Sequence, residues 1–265
     1  MKNSKYGVLL AISSLPSKYG IGDFGVNAYK FAKFLSDVGY KYWQILPLNP
    51  IGPGNSPYMS VCSEAIEPRY IDLDELISLG YISNVPSFNE KANRVDYARV
   101  NDFKMQYLEK AYRAFLANPI EGYEEFKNAN KWVYPFALFS VLRKHRNFEC
   151  WNKWPLDLRD YYDHHEFNDI PKEYQDECDF EIFMQFIAYR QWNKLKEYIH
   201  DLDLELIADL PFYVGIDSSD CWVNKKYFVM DENYNPTVVS GCPPDAFSDD
   251  GQLWGTPIYN FEEMK

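Results

Sequence analysis

The chain has no long apolar run, no cluster of Lys and Arg, no Cys-x-x-Cys pair and only 4 His. A membrane-spanning helix needs about 18 or more consecutive apolar residues, and no segment approaches that length. The 27 Lys and Arg are outnumbered by 39 Asp and Glu, and the formal net charge of −12 repels phosphate backbones and anionic lipid. Neither nucleic acid nor a membrane surface is expected as a partner. The 5 cysteines, Cys62, Cys150, Cys178, Cys221 and Cys242, are odd in number and widely spaced. That suits a reducing, cytoplasmic compartment better than a disulfide scaffold or a zinc site. His164 and His165 are adjacent, face different directions on a helix and have no partner at metal-ligand spacing. His145 and His200 end amphipathic runs, where a helix C-terminus favours a cation. No metal site and no nucleophile triad is legible. Lys2 and Lys5 ahead of residues 7–12 imitate the start of a signal peptide, but the apolar run is too short. Ser13-Ser-Leu-Pro16, which follows, offers no small-x-small cleavage pattern.

What is present is 265 residues, 46% of them apolar, enough for one large domain or two small ones. Aromatic residues make up 18% of the chain, with 22 Tyr, 18 Phe and 7 Trp. Such side chains fill cores, and their flat faces with a polar tip also stack on the C–H faces of sugar rings. Residues 7–12 and Tyr42-Trp-Gln-Ile-Leu-Pro-Leu48 are near-continuous apolar runs, the pattern of strands buried on both faces of a parallel sheet. Between them Phe24, Ala28, Phe31, Leu35 and Val38 recur at helical spacing, and Gly39 sits where a left-handed cap belongs. This predicts a strand, helix, strand unit. A third strand over 204–210 follows an amphipathic pattern carrying Ile182, Phe183, Phe186, Ile187, Trp192, Leu195 and Ile199.

The segment between strands two and three is longer than a crossover requires and reads as an insertion. It begins with a short helix capped by Asp72 with Glu75 and continues through amphipathic patterns over 102–116, 132–144 and 179–200. Beyond strand three, 227–230 and 237–240 flank Asp231-Glu-Asn-Tyr-Asn-Pro236, which predicts a hairpin. Residues 241–259 show no periodicity and read as a loop. The expected organisation is therefore 1–63 with the first two strands, 64–200 as a mainly helical insertion, and 201–265 with the third strand, the hairpin and the loop.

Serial strand–helix–strand units build doubly wound sheets or eight-stranded barrels, and both place their chemistry at the carboxyl ends of strands. A barrel needs eight strands in about 250 residues, so either the chain is part of a larger barrel or further strands escape the pattern. Gly20-x-Gly22-x-x-Gly25 spells a dinucleotide-binding pattern but starts eight residues after the strand, and no acidic residue follows at the expected distance. After strand two, Asn55, Ser56 and Tyr58 sit on a stiff Gly- and Pro-rich turn. It is either an ordinary rigid loop or a saccharide contact made of an amide, a hydroxyl and an aromatic platform. Asp209 stands directly behind Ile207-Ala208 and ahead of Leu210-Pro211, at the end of the third apolar run. A carboxylate buried there must be hydrogen-bonded or carry a raised pKa, so it is a satisfied core group or part of a site.

Taken in order, several segments resemble one family. They are Gly7-Val-Leu-Leu, Ser13-Ser-Leu-Pro-Ser17, Tyr19-Gly-Ile-Gly-Asp-Phe-Gly25, Tyr42-Trp-Gln-Ile-Leu-Pro-Leu48, Gly54-Asn-Ser-Pro-Tyr58, Ile207-Ala-Asp-Leu-Pro211 and Pro243-Pro-Asp-Ala-Phe-Ser-Asp-Asp-Gly-Gln-Leu-Trp-Gly255. The combination resembles the 4-α-glucanotransferases, the amylomaltases or disproportionating enzymes, which are relatives of the α-amylases. The resemblance runs from about Tyr6 to Tyr259. It implies an α/β fold, a (β/α)8 TIM barrel of amylase type, of which this chain holds the first three strands and a large helical insertion. Asp209 matches the aspartate that ends strand three in the first shared amylase motif. Ser56 and Tyr58, with Asn55 beside them, are implied contacts to glucose units on the donor side. The loop 243–255, with Asp245, Gln252 and Trp254, is implied to arch over the substrate channel. The nucleophilic aspartate, the acid/base glutamate and a third carboxylate are implied after strands four, five and seven, beyond Lys265.

The implied chemistry is retaining transglycosylation between maltooligosaccharides, in which one carboxylate forms a covalent glucosyl-enzyme and a second acts as acid and base. Such work needs no cofactor. One departure is Pro53, where some members of the family carry a tyrosine that serves a secondary glucan site. The rival expectations are an α-glucan hydrolase on the same barrel and a non-catalytic glucan-binding fragment.

Overall fold

The computed structural model describes residues 5–88 and 94–265, and in it the three apolar runs form one parallel sheet. In chain order the elements are β1 (Gly7–Leu9), α1 (Val26–Asp37), β2 (Tyr42–Gln44), α2 (Leu73–Ser78), α3 (Tyr97–Ala117), α4 (Tyr123–Ala129), α5 (Val133–His145) and α6 (Leu156–Arg159). They continue with α7 (Gln175–Asp201), β3 (Glu205–Ile207), α8 (Ser219–Val223), β4 (Val239–Cys242) and β5 (Gln252–Pro257). Grouped by contacts, the chain forms two units. The first comprises Met1–Leu48, Ile66–Ala129 and Ile182–Leu210, the second Asn49–Ala65, Asn130–Glu181 and Pro211–Lys265. These boundaries follow contacts, whereas the three segments expected from the sequence follow chain order.

In the first unit the sheet order is β1-β2-β3, with Val8 opposite Trp43 and Trp43 opposite Leu206. The strands are shorter than the apolar runs. Single ladder bonds continue past them, from Leu10 N to Gln44 O (2.9 Å) and from Ile45 N to Ile207 O (3.0 Å). Pro16, Pro47 and Pro211 then follow, and proline donates no ladder bond. The expectation of strands buried on both faces is also corrected. Trp43 is fully buried, but Leu9 is 57% and Ile207 42% exposed. An apolar run records a preference for burial and does not record which neighbours are present to provide it.

Helix α1 buries Ala28, Ala32 and Leu35, and Gly39 ends it at φ +84°. Two expected members of its stripe behave otherwise, since Phe24 is buried ahead of the helix and Val38 is exposed. Asp72 caps α2 by accepting from Asp74 N (3.0 Å) and Glu75 N (3.2 Å), which satisfies two otherwise orphaned donors. Helix α3 opens on Asp96, which accepts from Arg99 N (3.1 Å), and its buried stripe is Val100, Lys104, Leu108, Ala111 and Phe115. Phe115 packs on Phe183 of α7 with ring centroids 4.9 Å apart. Two amides of α7 act as backbone clamps: Gln185 bonds both N and O of Ile66 (2.8 and 2.9 Å), and Gln191 both N and O of Asp72 (2.7 and 3.0 Å).

In the second unit α5 is buried along most of its length, from Val133 to Leu142. Its last turn, Arg143-Lys144-His145, sits at the negative end of the helix dipole. Each of these side chains also meets a carboxylate, at Asp217 (2.6 Å), Glu181 (2.5 Å) and Glu177 (2.8 Å) respectively. Phe139, Trp154 and Trp222 pack together with centroids 5.6–5.9 Å apart.

The reading of 241–259 as a loop is overturned, because β5 occupies much of it and pairs antiparallel with β4. Gln252, Leu253, Trp254 and Gly255 are all exposed, so the ribbon has no apolar alternation from which a strand could be read. The expected hairpin is present only at its turn. Met230 bridges Pro236, but Phe228 bridges Tyr259, and Val239 pairs with Pro257.

Candidate functional site

The loop after β2 is built on hydrogen bonds of its own. The Asn49 amide, buried at the base, donates to the carbonyls of Cys62 (3.1 Å), Ser63 (2.6 Å) and Ala65 (3.2 Å). Gly52 N donates to Met59 O (2.9 Å), and the chain reverses through Gly54 at φ +81° and Asn55 at φ +56°. Glycine and asparagine are the residues that take this left-handed conformation most readily. At the tip Ser56 Oγ accepts from Tyr58 N (3.3 Å), and Tyr58 is 46% exposed.

The far side of the loop is tied to the segment around α8. Ser63 donates through its N–H (3.0 Å) and its hydroxyl to the Asp220 carboxylate, and Ser219 N donates to Val61 O (2.9 Å). Burial pushes the Asp220 carboxyl up from the usual range, and burial pushes the Cys62 thiol up to about 12. Neither group is placed to react. Asp220 instead ties Ser63, at the returning end of the loop, to α8.

The second group of candidate residues lies on the β4–β5 ribbon. Asp245 Oδ1 accepts from Phe247 N (2.8 Å) and Ser248 N (3.0 Å), so part of its acceptor capacity orders its own turn. Gln252 and Trp254 share one face of β5, as residues two apart on a strand do. Trp254 Nε1 donates to Gln252 Oε1 (3.1 Å). Phe212 meets the Trp254 ring edge-on at 6.3 Å, and Phe212, Phe247 and Leu253 are exposed. The result is a surface of aromatic faces and amide groups.

Six of the seven candidate residues thus belong to the second unit, while Asp209, two residues past the end of β3, belongs to the first. Asp209 is only half-buried, against the expectation of a buried carboxylate, because β3 itself is exposed at Glu205 and Ile207. Asn49, Ser63, Asp220 and Phe212 were not anticipated. One signal was legible, since Ser218 is a cap whose Oγ accepts from Cys221 N (3.2 Å) and so marks the start of α8. Among the described residues no group of three or more His, Cys, Asp or Glu side chains is arranged to hold a metal ion.

The chain belongs to the 4-alpha-glucanotransferase family, whose model matches residues 10–265. It is 39% identical over 256 residues to the 4-alpha-glucanotransferase of Clostridium butyricum, covering 94% of this chain and 52% of the relative. It is 37% identical over 266 residues to that of Thermus thermophilus, covering 98% of this chain and 53% of the relative. A solved amylomaltase from Streptococcus agalactiae, in complex with acarbose, superposes with a TM-score of 0.88 at 37% identity, over 97% of this chain and 53% of that one. The chain spans about half the length of the curated relatives it matches.

Proposed function

We propose that the chain is the substrate-contacting half of a 4-α-glucanotransferase that moves α-1,4-glucan segments between maltooligosaccharides by retaining double displacement. The observation that carries this reading is the family match across residues 10–265. The exposed ring of Tyr58 on its loop, and separately the exposed amide and ring of Gln252 and Trp254 on the ribbon, support it, because such groups stack on and hydrogen-bond to sugar rings. Strands β1 to β3 are then the first three of a (β/α)8 barrel of amylase type, whose site forms at the carboxyl ends of its strands. Asn55, Ser56 and Tyr58 contact donor glucose units, and Asp209 contacts sugar hydroxyls or a neighbouring catalytic side chain. Asp245, Gln252 and Trp254 cover the bound chain. Retaining chemistry requires two carboxyl groups about 5–5.5 Å apart, and we assign neither of them to residues 1–265.

The test is direct. Residues 1–265 are expected to bind maltoheptaose in titration calorimetry and to leave maltotriose unchanged. Release of glucose and longer oligomers by the purified chain would refute the assignment of the catalytic pair. A hydrogen bond to a charged group contributes about 1.5–3 kcal/mol, and about 1.4 kcal/mol is tenfold in affinity. Asp209→Asn should therefore weaken maltoheptaose binding by roughly 10- to 150-fold with little change in melting temperature. Unchanged affinity with a lowered melting point would show that Asp209 is a structural group.

A further inference from the structure

The second unit carries a cleft of about 590 Å3 that shares no residue with the loop 55–58 or the ribbon turn 243–255. We infer that this cleft is a carbohydrate subsite that takes a neutral segment of the glucan chain. The inference rests on the α-glucan reading above and adds a place where that glucan binds.

Its size falls within the roughly 300–1,000 Å3 of small-ligand clefts. Phe167 on its wall is 42% exposed, with Tyr162 against it edge-on at 5.8 Å, and Tyr227 adds a second ring. Tyr234, also on the wall, is held at φ +57° within a turn organised by Asp231. A bulky side chain is rarely found in that conformation, and Asn152 fixes it further by donating to the Tyr234 carbonyl (3.2 Å).

The charges of the lining decide the class of ligand. Lys225 is buried, and its ammonium lies 2.7 Å from Asp163 and 3.4 Å from Asp160. Asp231 accepts from the backbone N of Asn233 (2.9 Å) and Asn235 (2.8 Å), and Lys226 rests 4.8 Å from the centroid of the Tyr227 ring. Two lysines and two aspartates line the cleft and cancel. An anion could claim Lys225 only by displacing Asp163. A hydroxyl needs no such exchange, because a carboxylate has about four acceptor sites and an ammonium three donor hydrogens, so both groups keep capacity within the pair. Aromatic side chains beside a lysine already paired with carboxylates, in a lining whose formal charges sum to zero, suit a polyhydroxylated, uncharged ring.

The experiment follows backbone amide NMR shifts of the 265-residue chain during titration with maltoheptaose and, separately, with inorganic phosphate. Maltoheptaose should shift amides in 163–167 and 224–231 as well as those in 55–58. Phe167→Ala should weaken the first set of changes by about tenfold or more while leaving the second, and Phe167→Tyr should retain both. Circular dichroism melting confirms that each variant is folded. Shifts at 55–58 alone overturn this inference and leave the glucanotransferase reading standing, whereas shifts at neither place count against both. Unaltered binding by Phe167→Ala, or saturable phosphate binding at 224–231, also overturns it.

Discussion

Lys104 is a fully buried cation on the apolar stripe of a helix. Its Nζ donates to Arg69 O (2.6 Å) and stands 3.6 Å from Asp23 Oδ2, with no exposed surface. Burial drives its pKa down, and Asp23 and Asp72 oppose that shift. The same desolvation acts on Asp72, whose carboxyl is pushed up to about 6 by burial first and by the Asp23 charge second. An acid raised in the fold holds its proton where the unfolded chain has released it. The resulting stability is complete below the unfolded value of 3.8 and is lost as pH rises through about 6. Asp72→Asn keeps an N-cap acceptor and removes the titration. The difference in unfolding free energy between wild type and variant, followed by urea denaturation across pH 4–7, should therefore change by about 1–3 kcal/mol, with wild type losing ground as pH rises. A flat difference would show that the Asp72 proton does not distinguish folded from unfolded chain. Asp72 could be read from the sequence as a helix cap, because capping is a local pattern. Its partnership with Lys104 could not, because the two residues are brought together only when α2 and α3 pack.

Gly241 shows how an element can depend on one residue. A Cβ at this position would meet Gln252 O at 2.5 Å and Leu253 Cα at 3.4 Å, closer than side-chain contacts normally come, so the two strands of the ribbon approach because no side chain stands between them. Gly241→Val should push β4 from β5 and release Gln252 and Trp254 from their shared face. Overpacking costs about 1–3 kcal/mol, which corresponds to a melting point lower by roughly 2–10 °C. Maltoheptaose affinity should fall with it. A variant that melts lower yet binds normally would separate the ribbon from the substrate. The helices were legible from sequence where period and cap or terminator agree, as in α1 with Gly39 and α2 with Asp72. The ribbon was illegible because the exposed residues 252–255 carry no periodic signal.

For the whole molecule the formal net charge of −12 is the dominant long-range property. A neutral glucan releases no counterions on binding, whereas a polyanion or polycation does. Maltoheptaose affinity should consequently change little between low and high salt in calorimetry, while a steep fall with salt would point to a charged ligand and away from the proposed function.

The three strand runs, the helices α1, α2, α3, α5 and α7 and the family of the chain were determined by sequence alone, because strand runs, helical periods, caps and contiguous motifs are local in the chain and survive without knowledge of the packing. Burial was decided by tertiary structure. The runs at 7–12 and 204–210 are apolar, yet Leu9 and Ile207 are exposed and Asp209 is half-buried. The support of the loop 55–58 was also decided there. Asn49 reaches carbonyls 13–16 residues away, and Asp220 meets Ser63 across 157 residues. Such bonds depend on the loop-closure geometry of the folded chain, which no pattern over a short window encodes.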